Sequence, residues 1–121
     1  MRVLVDTSVW IDHLHRPNEG LKELLGRGEV WTHAVVIGEL AAGRLARRTE
    51  MLAHLLRIPR ADEIDLEEGL HLIESHRLDG RGLSWADVQL LAAASIDHLQ
   101  LWSQDRALAK VAAELELAYQ R

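Results

Sequence analysis

Short apolar runs that alternate with longer stretches of helical periodicity constrain this chain more than any other feature. A pattern of that kind calls for a sheet of mostly parallel strands joined by crossover helices. Val3-Leu4-Val5 is the first run, unbroken by polar residues as expected of a strand covered on both faces. From Val9 the pattern turns helical, with Trp10, Ile11 and Leu14 on one side, until Arg16-Pro17-Asn18 breaks it. Glu19 to Leu25 forms a second helix that stops at Gly26 or Gly28, and Val30-Trp31-Thr32 is the next strand. Ala34 to Arg47 reads as one helix and Glu50 to Arg57 as another, ending before Pro59. Asp65 with Glu68 forms a capping box for a helix to His76, and Leu78 to Gly82 is a loop. Ser84 with Asp87 opens the longest helix, to about His98. Leu99 to Ser103 is strand-like, Arg106 to Leu115 helical, and Leu117 to Tyr119 a last edge strand. The 121 residues suffice for one core and not two. The expected architecture is α/β: one domain, residues 1–121, with a central, mostly parallel sheet of four or five strands flanked by helices.

Charge and composition exclude several classes of function. With no cysteine the chain has no disulfide, no thiol nucleophile and no sulfur ligand for a metal. No apolar run approaches the ~20 residues of a membrane span, and Met1-Arg2 leads straight into a strand with no separate signal segment, so a cytosolic protein is expected. The net charge of −5 argues against binding nucleic acid by bulk positive charge. Local basic patches are compatible with it, because the only lysines are Lys22 and Lys110 and the other 12 of the 14 basic residues are Arg, the side chain suited to bidentate phosphate contacts. His13 and His15, or His71 and His76, lack the spacing of a zinc helix, and Ser8 lacks the glycines of a nucleophile elbow.

Four acids stand where such a domain has little structural use for charge. Asp6 closes the first apolar run, Glu39 and Asp87 lie within apolar helical stretches, and Asp105 follows Leu101-Trp102. Asp6 and Asp105 fall at the carboxyl ends of strands, where open parallel sheets bind ligands. Each also has a structural alternative: Asp6 and Asp105 as helix N-caps, Asp87 as the reciprocal member of the Ser84 box. Glu39 is hardest to explain that way, since Val35, Val36, Ala42 and Gly43 surround it one turn either side and the expected face is buried. Brought together, two such charges roughly 4 Å apart repel by about 4 kcal/mol at an effective dielectric of 20. A divalent cation relieves that cost, and oxygen donors alone favour magnesium or manganese over zinc.

The residues Val3-Leu4-Val5-Asp6-Thr7-Ser8-Val9-Trp10-Ile11, Glu39 within Val36-Ile37-Gly38-Glu39-Leu40, Leu83-Ser84-Trp85-Ala86-Asp87 and the apolar run after it, and Leu101-Trp102-Ser103-Gln104-Asp105 together resemble PIN domains. More narrowly the chain resembles VapC-type ribonuclease toxins of toxin-antitoxin pairs, in order and spacing along its whole length. Ser103 stands where the family commonly has Thr and keeps the hydroxyl, while a further acid that some relatives carry has no counterpart. The resemblance implies hydrolytic cleavage of RNA with Mg²⁺ or Mn²⁺, with Asp6 and Asp87 as the main metal ligands and Glu39 and Asp105 completing the pocket. Thr7, Ser8 and Ser103 are the hydroxyls expected to hold those carboxylates. Arg44, Arg47, Arg48, Arg77, Arg81 and Arg106 are candidates for RNA phosphates. Trp10 and Trp85 flank site acids and are candidates to stack on bases or meet a partner, with core packing favoured for all four tryptophans. A VapB-type antitoxin is the implied partner, on an apolar floor around Trp10, Leu14, Leu21 and Leu25. DNA is contacted only through that antitoxin, and a homodimer is expected by analogy. The alternatives fare less well. A phosphoryl-transfer enzyme with an Asp nucleophile wants a second Asp at the position of Ser8, and a receiver domain wants a late strand-end Lys. A catalytically inactive PIN-like interaction module normally shows missing acids, and here all four are present.

Overall fold

In the computed structural model, which describes residues 1–120, four parallel strands form one sheet in the order β3-β2-β1-β4. They are β1 (Val3–Val5), β2 (Val30–His33), β3 (Arg60–Ala61) and β4 (Gln100–Trp102). Val3, Leu4 and Val5 are each 0% exposed, because helices cover both faces of the central strand. The register pairs Leu4 with Trp31 on one side and Leu101 on the other. The expected last strand is reduced to one parallel bridge, Leu101 with Ala118, held by the Leu101 N–H on the Leu117 carbonyl and the Tyr119 N–H on that of Leu101.

From β1 the chain builds outward through β2 to β3, then returns to lay β4 on the other side of β1. The seam between β1 and β4 is therefore where the winding direction reverses, the crevice in which such sheets bind ligands.

Among the described residues seven helices flank the sheet, six between strands and one after β4: α1 (Thr7–His15), α2 (Glu19–Gly26), α3 (Ala34–Ala42), α4 (Arg48–Arg57), α5 (Leu66–His76), α6 (Trp85–Ile96) and α7 (Arg106–Glu114). No helix among the described residues is long and apolar enough to cross a membrane. Both capping boxes read from the sequence form, Asp65 with Glu68 and Ser84 with Asp87. In α6 every residue from Val88 to Ala94 is buried, and the alanines at 92–94 give it a narrow profile within the core. His33, wholly buried at the end of β2, caps α3 by accepting the Val35 N–H on Nδ1 at 3.1 Å. Burial holds its pKa below the ordinary imidazole value, which keeps that nitrogen free to accept.

Two expectations change. The helix read as Ala34 to Arg47 ends at Ala42; Gly43 is extended, and Arg47 adopts a left-handed conformation (φ 51°, ψ 47°) to launch α4. The two-residue β3 is too short to leave a period in the sequence, and it is fixed by its partner, the Thr32 N–H reaching the Pro59 carbonyl at 2.8 Å.

Gln89, 3% exposed on α6, holds the segment before α5 by a pair of hydrogen bonds to one residue: its Nε2 donates to the Ile64 carbonyl and its Oε1 accepts the Ile64 N–H, both at 3.0 Å. Gln89→Leu removes both partners of a half-buried peptide group. It is expected to cost about 1–3 kcal/mol, read as a lower urea midpoint with an unchanged m-value.

Candidate active site

Asp6 ends β1 and opens α1. Its N–H continues the ladder to the Trp102 carbonyl at 2.9 Å, and its extended backbone (φ −69°, ψ 156°) puts it at the N-cap of α1. The side chain nevertheless makes no cap hydrogen bond. Instead Oδ2 accepts the hydroxyls of Ser8 at 2.8 Å and Ser103 at 2.7 Å. Each hydroxyl in turn accepts a backbone N–H, Ser8 from Gln104 at 2.9 Å and Ser103 from Asp105 at 3.0 Å. The result is a closed network across the β1–β4 seam around a carboxylate residue that is only 6% exposed.

Asp87 sits at the third position of α6. Its Oδ2 accepts the Ser84 N–H at 2.9 Å while its own N–H reaches the Ser84 hydroxyl at 3.1 Å. Burial is the main influence pushing its carboxyl above the ordinary value; the Ser84 N–H opposes the shift, and the charges of Asp6 and Asp105 add to it. That coupling brings three of the four acids into one electrostatic site at the carboxyl rim of the sheet. Asp105 caps α7, its Oδ1 accepting the Leu108 N–H at 3.0 Å.

Glu39 departs from expectation. It is exposed on α3 rather than buried, and the Thr7 hydroxyl donates to its Oε1 at 2.6 Å across the α1–α3 contact. Periodicity along one helix could not show that the flanking residues Ala42 and Gly43 are themselves exposed.

A common arrangement emerges. Each acid has one oxygen tied to the chain (Asp6 Oδ2, Glu39 Oε1, Asp87 Oδ2, Asp105 Oδ1), and among the described residues the other accepts no hydrogen bond. None of the four has an Arg, Lys or His within ion-pair distance among those residues, where the acidic partners are Glu19, Glu23, Glu29, Glu50 and Glu114. Hard, oriented, uncompensated oxygens fit a divalent cation in charge and chemistry. They are not closed into a cage: among the described residues no three carboxylate or histidine side chains are gathered as a preformed metal site requires.

The cationic candidates divide. Arg81 is committed to Glu114 by two bonds, at 2.7 and 2.8 Å, and Arg47 to Glu50 at 2.6 Å. Arg44, Arg48 and Arg106 are exposed and make no ion pair among the described residues. Of the tryptophans, Trp10 and Trp102 are core and Trp31 is half-buried beneath Arg2. Trp85 is not core: it is 42% exposed, its indole lying so close on Gly69 of α5 that any side chain at 69 would strike it. Trp10, Leu14 and Leu25 line a groove of about 430 Å³ between α1, α2 and α4, whereas Leu21 faces the core at 0% exposure and takes no part. Gln104, to which the sequence assigns no role, ties the site loop to α1 through its N–H on Ser8 and its side-chain amide on Asp12 at 3.3 Å. A backbone donor leaves no sequence signal.

Comparison with known proteins agrees with this geometry. The PIN domain family matches residues 3–114. Ribonuclease VapC32 of Mycobacterium tuberculosis, in strains CDC 1551 / Oshkosh and ATCC 25618 / H37Rv, is 39% identical over 117 residues, 96% of this chain and 94% of the relative. The crystal structure of PAE2754 from Pyrobaculum aerophilum superposes with a TM-score of 0.60 at 20% identity, covering 96% of this chain and 90% of that one, a likeness of fold. The chain belongs to the PIN-domain family, among its VapC-type ribonucleases.

Proposed function

We propose that the protein is a Mg²⁺- or Mn²⁺-dependent endoribonuclease, the toxin of a toxin-antitoxin module, working in the cytosol and held in check by a VapB-type antitoxin. The observation that carries this is the set of four anchored acids, each with one oxygen free of hydrogen bonds and no cation beside it among the described residues. Likeness to Ribonuclease VapC32 along the length of both chains supports the choice of RNA.

Asp6 and Asp87 would hold the ion, with Glu39 and Asp105 completing its surroundings. When bound, the ion supplies Lewis acidity and positive charge to a phosphodiester under attack. The protein's own part is orientation. Ser8 and Ser103 fix the plane of the Asp6 carboxylate, Ser84 fixes Asp87, and Thr7 restrains Glu39. The half-buried position of Asp87 limits water around the acids, which strengthens every interaction among them. Isothermal titration with Mg²⁺ or Mn²⁺ is expected to detect uptake. No uptake and no cleavage would leave the interaction-module reading.

Asp6→Asn and Asp87→Asn are each expected to lower cleavage of total RNA at least ~100-fold. In EDTA at neutral pH, Asp87→Asn should melt no lower than the parent, and higher if repulsion dominates. The sign follows from the raised pKa: the folded state takes up the Asp87 proton more readily than the unfolded chain. Stability is therefore lost as pH rises from the ordinary carboxyl range through the raised value, and the neutral amide escapes that loss. The gain should shrink as pH falls toward the ordinary value of 3.8. A parent-like cleavage rate in either variant would remove the assignment.

Ser103→Ala deletes a donor to Asp6 and an acceptor for the Asp105 N–H without touching an acid. The titration should show metal affinity lower by roughly 10–100-fold, and an unchanged affinity would mean the hydroxyl has no part in orienting Asp6.

The antitoxin reading rests on the α1–α2–α4 groove, whose Leu14 and Leu25 are 43% and 37% exposed, and self-association on the exposed Leu66, Leu70 and Trp85. Light scattering should give twice the chain mass alone and a larger, inactive complex with the cognate antitoxin. Leu25→Glu should prevent that complex while sparing cleavage. A monomer, or cleavage indifferent to antitoxin, would eliminate the corresponding part.

A further inference from the structure

We propose that the pocket between α1 and the turn after α3 receives one unpaired nucleobase of the RNA strand, next to the bond that is cut. This rests on the ribonuclease reading above and adds to it the place where sequence preference arises.

The pocket has a volume of about 290 Å³; Ile11, Leu14, Leu40 and Leu45 give it an apolar lining, and His15, Glu39 and Arg44 line it as well. It lies just below the ~300–1,000 Å³ of sites that enclose drug-sized ligands, room for a single flat heterocycle. Its existence follows from the early end of α3. Because the chain leaves the helix at Ala42 and runs extended through Gly43, Arg44 and Leu45 turn back toward α1 instead of continuing a helix to Arg47. Gly43 presents no side chain there; a Cβ at that position would meet only the Glu39 and Leu40 carbonyls, at 3.7 and 3.8 Å.

Three observations favour a nucleobase. The pocket adjoins the acid site, since Glu39 lines it and its Oε1 accepts the hydroxyl of Thr7, the residue next to Asp6, at 2.6 Å to form the partition. Thr7 and Ile11 stand one turn apart on the same side of α1, so the apolar wall begins about 5.4 Å along the helix from the partition, the scale of the step between neighbouring nucleotides. Second, Ile11 is 47% exposed, an apolar surface that folding leaves unused and on which a base face can pack. Third, Arg44 makes no ion pair or side-chain hydrogen bond among the described residues, unlike Arg47 and Arg81, so its guanidinium is available to a phosphate as the base enters. A protein partner is better matched to the α1–α2–α4 groove, which is the larger of the two, about 430 Å³ against 290 Å³.

The test uses the full chain, Mg²⁺ and a randomised single-stranded RNA pool, with 5′ ends of the products sequenced. The parent should show a base preference at one position flanking the cut. Ile11→Trp, which fills the pocket, and Ile11→Ala, which widens it, should each lower kcat/KM on the preferred sequence roughly tenfold and change the preference, with little effect on disfavoured sequences. Leu45→Ala tests the opposite wall should an Ile11 variant fold poorly. Arg44→Gln should raise KM about equally for all sequences and reduce the salt dependence of binding by about one charge. Product ends that superimpose on the parent's in the Ile11 and Leu45 variants would overturn the pocket while leaving the nuclease intact. The same unchanged ends with lost antitoxin binding would assign the pocket to the partner and overturn it too. A parent that cuts no RNA would overturn both readings at once.

Discussion

A single oxygen atom organises the rim of this molecule. Asp6 Oδ2 accepts hydroxyls from Ser8 and Ser103, residues 95 apart in the chain, and those hydroxyls accept the N–H groups of Gln104 and Asp105. Because each serine has one proton and gives it to Asp6, the direction of every bond is set, and a cluster of short polar groups becomes a rigid joint between β1 and β4. That joint falls at the reversal of the sheet winding, where two strand ends diverge and a crevice is unavoidable. Without it the segment 103–105 has little to hold it against α1, and the first turns of α1 and α7 lose their common anchor.

The electrostatics follow from that geometry. The N-termini of α1, α6 and α7 meet at the rim, and partial positive charge there favours carboxylates. The local N–H groups only partly offset the repulsion, because Asp6 and Asp105 still push Asp87 upward. Nor does any basic side chain among the described residues come within ion-pair distance of the four acids, although Arg47 and Arg81 find acidic partners elsewhere. Three acids that feel one another's charge with no basic partner among the described residues leave a deficit of positive charge at one place.

What could be read from the sequence was local. The buried β1 run, both capping boxes and most helix bounds follow from patterns within a few residues. Strand ends pointed to Asp6 and Asp105 alone; that Asp87 stands within reach of their charges depends on how α6 returns to the sheet, which no local pattern shows. What escaped was set by distant partners. β3 exists because Thr32 and Pro59 meet; Glu39 is exposed because it shares the outward side of α3 with Gly38 and Ala42; Leu21 turns inward while its neighbour Leu25 does not. The end of α3 at Ala42 did carry a sign in Gly43, outweighed by the helical pattern beyond it. Trp85, expected in the core with the other tryptophans, lies instead on the surface against Gly69, a partner on another helix whose missing side chain makes room for the indole.

The choice between capping and chemistry, posed for each acid by sequence alone, is a false opposition in the folded chain. Capping takes one oxygen of a carboxylate and fixes the plane in which the other must lie. Asp87 and Asp105 give one oxygen each to a helix N-terminus, Glu39 gives one to Thr7, and Asp6 gives one to two serines. A cap bond of this kind contributes on the order of 1 kcal/mol to folding, and a carboxylate held by it has already lost the rotational freedom that binding an ion would otherwise remove. The structural role therefore lowers the entropic cost of the functional one. Helix starts at the carboxyl ends of parallel strands are places where a chain can have both from the same residue, as Asp6 and Asp105 do; Asp87 does the same at the start of α6, and Glu39 alone is held from the exposed side of a helix.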